Sequence, residues 1–310
     1  MKNIIIIAGP TASGKTKLSV DLAKAINGEI ISADSMQIYK GMDIGTAKIR
    51  KSEMDGIVHY LVDDIEPDER YTVSDFKTRA EEYIEDIIRR GKVPIIVGGT
   101  GLYINSILYE LNMKNGETNF EIRNKLEELA KTKGNGFMHE KLKKIDPISS
   151  ERIHPNNVKR VIRAIEVFET TGKLFSDQYD FRKLNDKYNP IYFCLTMDRK
   201  KLYNRINMRI DMMLEEGLIE EVKTLINNGF DIKLPSMQGL GYKEIISYLN
   251  DEITLEEAIY LLKRDTRRFA KRQLTWFRRE ELVNWIDKDK FNDEKEILDY
   301  CIEYYNKKRR

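Results

Sequence analysis

This sequence predicts an α/β fold built on a doubly wound parallel sheet, and three features predict it. Over its first third, β-branched runs alternate with segments of helical periodicity. The first run, Ile4–Ala8, feeds directly into a glycine-rich stretch, Gly9-Pro10-Thr11-Ala12-Ser13-Gly14-Lys15-Thr16, and then into a helical pattern. From about residue 112 the chain turns polar and helical, and strand character returns only near residue 190. A mainly helical segment is therefore inserted between sheet strands.

The elements follow in order. Ile4–Ala8 reads as a buried parallel strand. Leu18, Leu22, Ala23 and Ile26 have helical spacing, and Asn27-Gly28 stops that helix. The segment EIISADS is a second strand with a polar end. Ser74 is the expected cap of the next helix, whose apolar face is Phe76, Ala80, Tyr83, Ile84, Ile87 and Ile88 and whose end is Gly91. VPIIVGGTG is a third strand running into glycines. In such sheets ligands bind beyond the carboxyl ends of the strands, so Gly9–Thr16, Asp34-Ser35 and Gly98–Gly101 should line one crevice. PIYFCLTMD, at 190–198, is a further strand, and beyond Asp198 the chain reads as almost all helix.

Composition excludes several classes. The 310 residues are 41% hydrophobic and 34% charged, with a net charge of +2, which neither requires nor excludes a nucleic acid partner. Cys194 and Cys301 lie far apart without metal-ligand spacing, and free cysteines suit a reducing compartment. The run Ile4–Ala8 is too short to span a membrane. The expectation is a soluble, cytoplasmic protein.

Gly9–Thr16 matches G-x-x-x-x-G-K-[ST], a phosphate-binding loop. Its glycines let backbone N–H groups face phosphate oxygens, Lys15 adds a charge, and Thr16 can ligate Mg²⁺. The motif says polyphosphate without saying which. Asp34, at a strand end, suits either a water-mediated Mg²⁺ contact or a general base. No Walker B aspartate follows the strand PIIV, which argues against an ordinary ATPase. Lys201, Arg205 and Arg209 are four apart on one helix face that could reach a diphosphate. In LLKRDTRRFAKRQLTWFRR, residues 261–279, Lys263, Arg264, Arg267, Arg268, Lys271 and Arg272 form a basic half opposite Leu262, Phe269, Trp276 and Phe277. That outward stripe suits a nucleic acid backbone. In 154–168, Val158, Val161, Ile162, Ile165 and Phe168 form a buried side, opposite Lys159, Arg160 and Arg163.

Six stretches together carry a resemblance. GPTASGKT, ISADSMQIYKGMDIGTAK, VGGTGLY, VKRVIRAIEVFETTGK, QGLGYKE and AKRQLTWFRR resemble, in order and spacing, the bacterial tRNA dimethylallyltransferases, from Ile4 to about Arg279. The resemblance implies a P-loop core of adenylate-kinase type over 1–115 and 189–310, with a helical insertion at 116–188 gripping the tRNA anticodon arm. It implies transfer of a dimethylallyl group from dimethylallyl diphosphate to N6 of the adenosine next to the anticodon, with Mg²⁺ as cofactor and the chain acting as a monomer. In its terms, Gly9, Pro10, Thr11, Ala12, Ser13, Gly14, Lys15 and Thr16 bind the diphosphate. Asp34 takes the N6 proton, Arg209 clamps diphosphate, and Thr16 completes the catalytic set. Asp34, Ser35, Met36, Gln37, Thr100, Arg123, Lys159, Arg160, Val161, Ile162 and Arg163 fall where the family meets tRNA.

Three other readings share parts of this pattern. A P-loop nucleotide or metabolite kinase shares the loop and sheet but leaves the 261–279 helix and DSMQIYKGMDIGTAK unexplained. An adenylate prenyltransferase acting on a free nucleotide would lack much of the insertion. An RNA-binding protein with a vestigial loop sits poorly with Asp34 beside an intact Gly-Lys-Thr.

Overall fold

The computed structural model describes residues 2–110, 119–178 and 183–309. The chain divides into two compact units, Met1–Ile107 with Asp186–Arg310, and Leu108–Asn185. The sequence boundary at 115/116 lies outside the described residues. At the other end the chain re-enters the sheet at Tyr188, which pairs with Lys2.

The larger unit is built on six parallel strands: β1 (Lys2–Ala8), β2 (Gly28–Ser32), β3 (His59–Tyr60), β4 (Val93–Gly98), β5 (Tyr188–Thr196) and β6 (Val283–Asp287). Their order is β3-β2-β4-β1-β5-β6. β1 is central, and Ile4 to Ala8 are fully buried, as expected of a strand covered on both faces. Sequence reading missed the outermost strands, β3 and β6. β3 has two residues, and β6 pairs on one side only, through Tyr192↔Val283 to Thr196↔Asp287, with Trp285 left partly exposed.

Helices α1 (Lys15–Ile26), α2 (Lys51–Met54), α3 (Val73–Arg89) and α4 (Gly101–Leu108) occupy the first part of this unit. α1 ends on Asn27 in the left-handed conformation (φ 56°). The cap of α3 is Thr72, not Ser74. Its side chain accepts from Asp75 N while Asp75 returns a bond to the Thr72 backbone, a reciprocal box that Ser74 cannot form from inside the helix. Phe76, Ala80, Ile84 and Ile87 are buried as the periodicity requires.

The smaller unit contains α5 (Phe120–Ile145, broken at Gly134 with φ 82°), α6 (Pro147–Arg152), α7 (Val158–Thr171) and α8 (Phe175–Gln178). Its own core gathers Leu126, Met138, Leu142, Val161, Ile162 and Ile165. The chain then returns to the larger unit through α9 (Arg199–Glu215), α10 (Leu218–Asn227), α11 (Tyr242–Leu249), α12 (Leu255–Phe277) and α13 (Glu294–Arg309). Among the described residues no helix is long and apolar enough to cross a membrane. Both cysteines are buried and free, and burial pushes each thiol up to about 12, so neither is a nucleophile.

Candidate active site

β1 delivers the chain into the phosphate loop. Gly9 (φ 148°), Ala12 (φ 62°) and Gly14 (φ 95°) take turns that L-residues resist, and Gly14 caps α1. Three cations hold the carbonyl side of this loop. Lys15 Nζ donates to Pro10 O (2.8 Å), Arg205 Nε to Ala12 O (2.9 Å) and Lys288 Nζ to Ser13 O (3.3 Å). The first amides of α1 have no partner within the helix, so the loop ends on a ready anion site. Ser13 is fully buried, and its hydroxyl has no hydrogen-bond partner among the described residues.

Asp34 lies just beyond β2, on the same edge of the sheet. Its Oδ1 accepts from Met36 N (2.9 Å), and among the described residues no cationic side chain lies within ion-pair distance of it. Thr100, at the start of α4, accepts from Ser35 N (3.2 Å), and its own N–H donates to Ala33 O (3.2 Å). The glycines of VGGTG are there for close approach. A Cβ on Gly98 would lie 2.1 Å from Ala33 O, and one on Gly101 would lie 2.2 Å from the Trp276 ring.

Loop, strand end and glycine turn line one cavity of about 420 Å³, closed on its apolar side by Ile206, Ile210, Met213, Leu240, Leu262 and Phe269. Arg209 also lines it and donates to Ala47 O (3.4 Å). Burial lowers the pKa of Arg209, and the Asp34 carboxylate opposes that shift. Burial likewise depresses the Lys15 ammonium to about 8, against the attraction of Asp34 and with added repulsion from Arg209. A second hollow of about 630 Å³ shares Ala12, Lys15, Thr16 and Arg209 with the first, so these residues stand between two openings.

Among the described residues no cluster of three or more His, Cys, Asp and Glu is arranged for a metal ion. Thr16 and Asp34 line the same cavity with hard oxygens, a donor set that fits Mg²⁺ sharing its shell with phosphate oxygens.

The stretch ISADSMQIYKGMDIGTAK is folded by its own polar side chains. Gln37 Nε2 donates to Thr46 O (3.3 Å) and Ala47 O (3.2 Å). Lys48, with a nearly buried side chain, pairs with Asp43 and Asp63 and donates to Tyr39 O. Glu221 accepts from the backbone N–H groups of Asp43, Ile44 and Gly45 and from Tyr242 OH. The QGLGYKE stretch closes on this segment, because Gly45 lies under the Tyr242 ring and Gly239 against Met36.

These observations, with the sequence motifs, meet one family. A model of the IPP transferase family matches residues 37–280. The chain belongs to the IPP transferase family. The tRNA dimethylallyltransferase of Acetivibrio thermocellus is 56% identical over 306 residues, covering 98% of this chain and 97% of that protein. That of Lachnoclostridium phytofermentans is 53% identical over 309 residues, covering 99% of each. Among solved structures, the full-length tRNA isopentenylpyrophosphate transferase of Bacillus halodurans superposes with a TM-score of 0.74 at 46% identity, covering 100% of this chain and 98% of that one. A eukaryotic dimethylallyltransferase acting on tRNA superposes at 0.78 with 33% identity, covering 93% of this chain and 74% of that one.

The structure brings Gly9–Thr16, Asp34, Ser35, Met36, Gln37, Thr100 and Arg209 of this IPP transferase family member to one edge of the sheet. The remaining expected residues lie elsewhere. Val161 and Ile162 are 0% and 4% exposed, so their side chains build the core of the smaller unit and only their backbone is left to meet a partner. Arg123 and Arg163 both pair with the fully buried Glu166 (2.7 and 3.0 Å), while Lys159 and Arg160 are exposed. Lys201 pairs with Asp289 (2.6 Å) instead of reaching the loop.

The basic stripe of α12 is not uniformly outward. Lys263 pairs with Asp211 (2.5 Å), Arg264 and Arg268 with Asp265, and Arg267 donates to Asn207 Oδ1 (2.7 Å). Asp211 and Asn207 come from α9, out of sight of the local sequence. Sequence reading also missed Gln273 and Lys288. Gln273, 6% exposed, accepts from Thr11 N (2.9 Å) and donates to Gly99 O (3.0 Å), tying the phosphate loop to the glycine turn. Its signal was a polar residue on the apolar face of α12. Lys288 carries no comparable local signal.

Proposed function

We propose that this protein transfers a dimethylallyl group from dimethylallyl diphosphate to N6 of the adenosine 3′-adjacent to the anticodon of tRNA. The expected substrates are tRNAs that read codons beginning with U. The observation that carries the reading is the make-up of the cavity: an anion loop with Lys15 and Arg209, and beside them the Asp34 carboxylate, with no cationic side chain within ion-pair distance among the described residues. The names carried by the relatives above point the same way.

The adenine N6 lone pair is delocalised into the ring and is a poor nucleophile. As N6 bonds to the allylic C1, its N–H proton passes to the Asp34 carboxylate, which keeps positive charge off nitrogen. The C1–O bond breaks at the same carbon, and the departing diphosphate collects negative charge. The loop amides, Lys15 and Arg209 are already in place to receive it. Mg²⁺ bound by Thr16, with Asp34 nearby, would supply further charge to the leaving diphosphate. The apolar wall of Ile206, Ile210, Met213, Leu240, Leu262 and Phe269 suits a five-carbon chain and excludes water from it. The loop thus serves a leaving group and moves no phosphoryl group. The smaller unit grips the anticodon arm, through Lys159 and Arg160 before the other residues expected there. The protein works as a cytoplasmic monomer.

Incubating an anticodon stem-loop RNA with enzyme, Mg²⁺ and dimethylallyl diphosphate should add one C5H8 unit at that adenosine by mass analysis. Phosphoryl transfer from labelled ATP to an acceptor, with no prenylated RNA, would instead establish the kinase reading.

A further inference from the structure

Among the described residues, Arg209 pairs with no carboxylate, and its one hydrogen-bond acceptor is the Ala47 carbonyl (3.4 Å). The kind of acceptor matters for a side chain that must receive diphosphate. A carbonyl orients a guanidinium and leaves its charge intact. A carboxylate in the same place would neutralise it and compete with the anion. The same Ala47 oxygen also accepts from Gln37 Nε2 (3.2 Å), so one carbonyl holds two side chains that line the reaction cavity.

An alanine does not present that carbonyl unaided. Ala47 has φ 50°, in the left-handed region that a residue with a Cβ resists, and such a conformation persists where the surroundings impose it. Glu221 of α10 imposes it. Its Oε2 accepts from Asp43 N (2.9 Å) and Ile44 N (2.7 Å), and its Oε1 from Gly45 N (3.0 Å) and from Tyr242 OH (2.7 Å). With three consecutive amides gathered on one carboxylate, the turn closes on itself. Ala47 N donates to Ile44 O (2.9 Å), and Lys48 N donates to Asp43 O (2.9 Å). Tyr242, fully buried, braces the turn from the other side, since a Cβ on Gly45 would lie 2.6 Å from its ring. Gly45, Thr46 and Ala47 line the cavity, and Glu221 does not. Among the described residues no cation pairs with Glu221, so its charge is directed at the turn.

We infer that Glu221 is a positioning residue for Arg209: it folds the 43–47 turn so that Ala47 O holds the guanidinium in the cavity, oriented and with its charge free for the leaving diphosphate. The inference rests on the prenyl transfer proposed above and adds a residue that acts on the leaving group without touching it.

The test is binding of inorganic diphosphate with Mg²⁺, followed by calorimetry, for wild type, Glu221→Gln, Arg209→Ala and the double variant. Glu221→Gln keeps the shape but sets an NH2 group against backbone amides. It should weaken diphosphate about tenfold and lower kcat by a similar factor, with affinity for the stem-loop RNA little changed. In the Arg209→Ala background the same substitution should weaken diphosphate no further, because the two residues act as one unit. Tyr242→Phe removes one of the four donors and should give a smaller loss of about two- to threefold, again only where Arg209 is present. If Glu221→Gln does not fold, Tyr242→Phe in the two backgrounds carries the same comparison. An unaltered diphosphate affinity in the folded variant overturns the inference. An equal loss in both backgrounds, or a lowered melting temperature alone, also overturns it and leaves Glu221 as a brace of the fold. Failure of the wild-type enzyme to prenylate RNA is a separate outcome that strikes the proposed function, because diphosphate binding is read without RNA or catalysis.

Discussion

Two carboxylates five residues apart, Glu29 in β2 and Asp34 just past its end, have opposite surroundings. Glu29 is 1% exposed and saturated: Arg90 grips both oxygens (2.7 and 2.6 Å), Lys92 adds a bond (2.6 Å) and Tyr60 OH donates (2.9 Å). The hydrogen bond from Arg90 leads the causes that hold its carboxyl down near 2, with burial opposing them. Asp34 accepts one bond from its own turn and faces a cavity. A carboxylate whose lone pairs are all occupied fastens structure. One left open at a strand's carboxyl end is available to take a proton from a ligand.

The comparison breaks most sharply by exchanging effects. Asp34→Ala should cut turnover by about 10²–10⁴-fold, the usual loss of a general base, with melting temperature and RNA affinity nearly unchanged. Retained turnover would remove Asp34 from the chemistry. Glu29→Gln should do the reverse, lowering stability by about 2–3 kcal/mol while the folded enzyme keeps its kcat. That figure sits below the usual cost of breaking a buried pair because Arg90 and Lys92 are each about one-third exposed and keep access to water. Because the folded pKa of Glu29 lies below the unfolded one, its stabilisation is present above about pH 4.5. It is lost as pH falls towards 2. Thermal melts of wild type and Glu29→Gln should therefore converge over that window; parallel curves would show that the network adds nothing.

A smaller effect concerns the link between donor loop and acceptor strand. Gln273→Ala removes both bonds that tie Thr11 to Gly99, and it should lower kcat about 5–30-fold, corresponding to about 1–2 kcal/mol, with little change in RNA affinity. An unchanged kcat would mean that the loop holds its place without α12. The smallest effect is a protonation. Lys15 is half neutral near pH 8 in the free protein, and a bound diphosphate raises its pKa. Calorimetry at pH 8 in buffers of different ionisation enthalpy should detect uptake of part of a proton on diphosphate binding. The affinity should weaken above pH 8 by no more than tenfold per pH unit. Lys15→Arg should abolish the uptake, since guanidinium stays charged.

The legible parts of this protein are those encoded by neighbours in the chain. Ile4–Ala8 followed by Gly9–Thr16 specified strand, loop and helix start, because β-branched burial and positive-φ turns are local properties. The same holds for Asp34 at a strand end and for the face Phe76, Ala80, Ile84 and Ile87. The helical periodicity of Val161 and Ile162 turned their side chains inward, and they are buried in the smaller unit's core. The two residues of β3 and the one-sided pairing of β6 left too little local pattern to see.

What the tertiary structure decided is which charges are neutralised. Lys263 and Arg267 read as free cations along α12 and are taken by Asp211 and Asn207 of α9. Lys271 of the same stripe read no differently, and among the described residues no acid pairs with it. Gln273 and Lys288 reach the phosphate loop from 262 and 275 residues away in the chain. Local sequence determines conformation and the chemistry a side chain carries. Whether that chemistry is neutralised or left for a ligand depends on partners that only folding brings within a few ångströms.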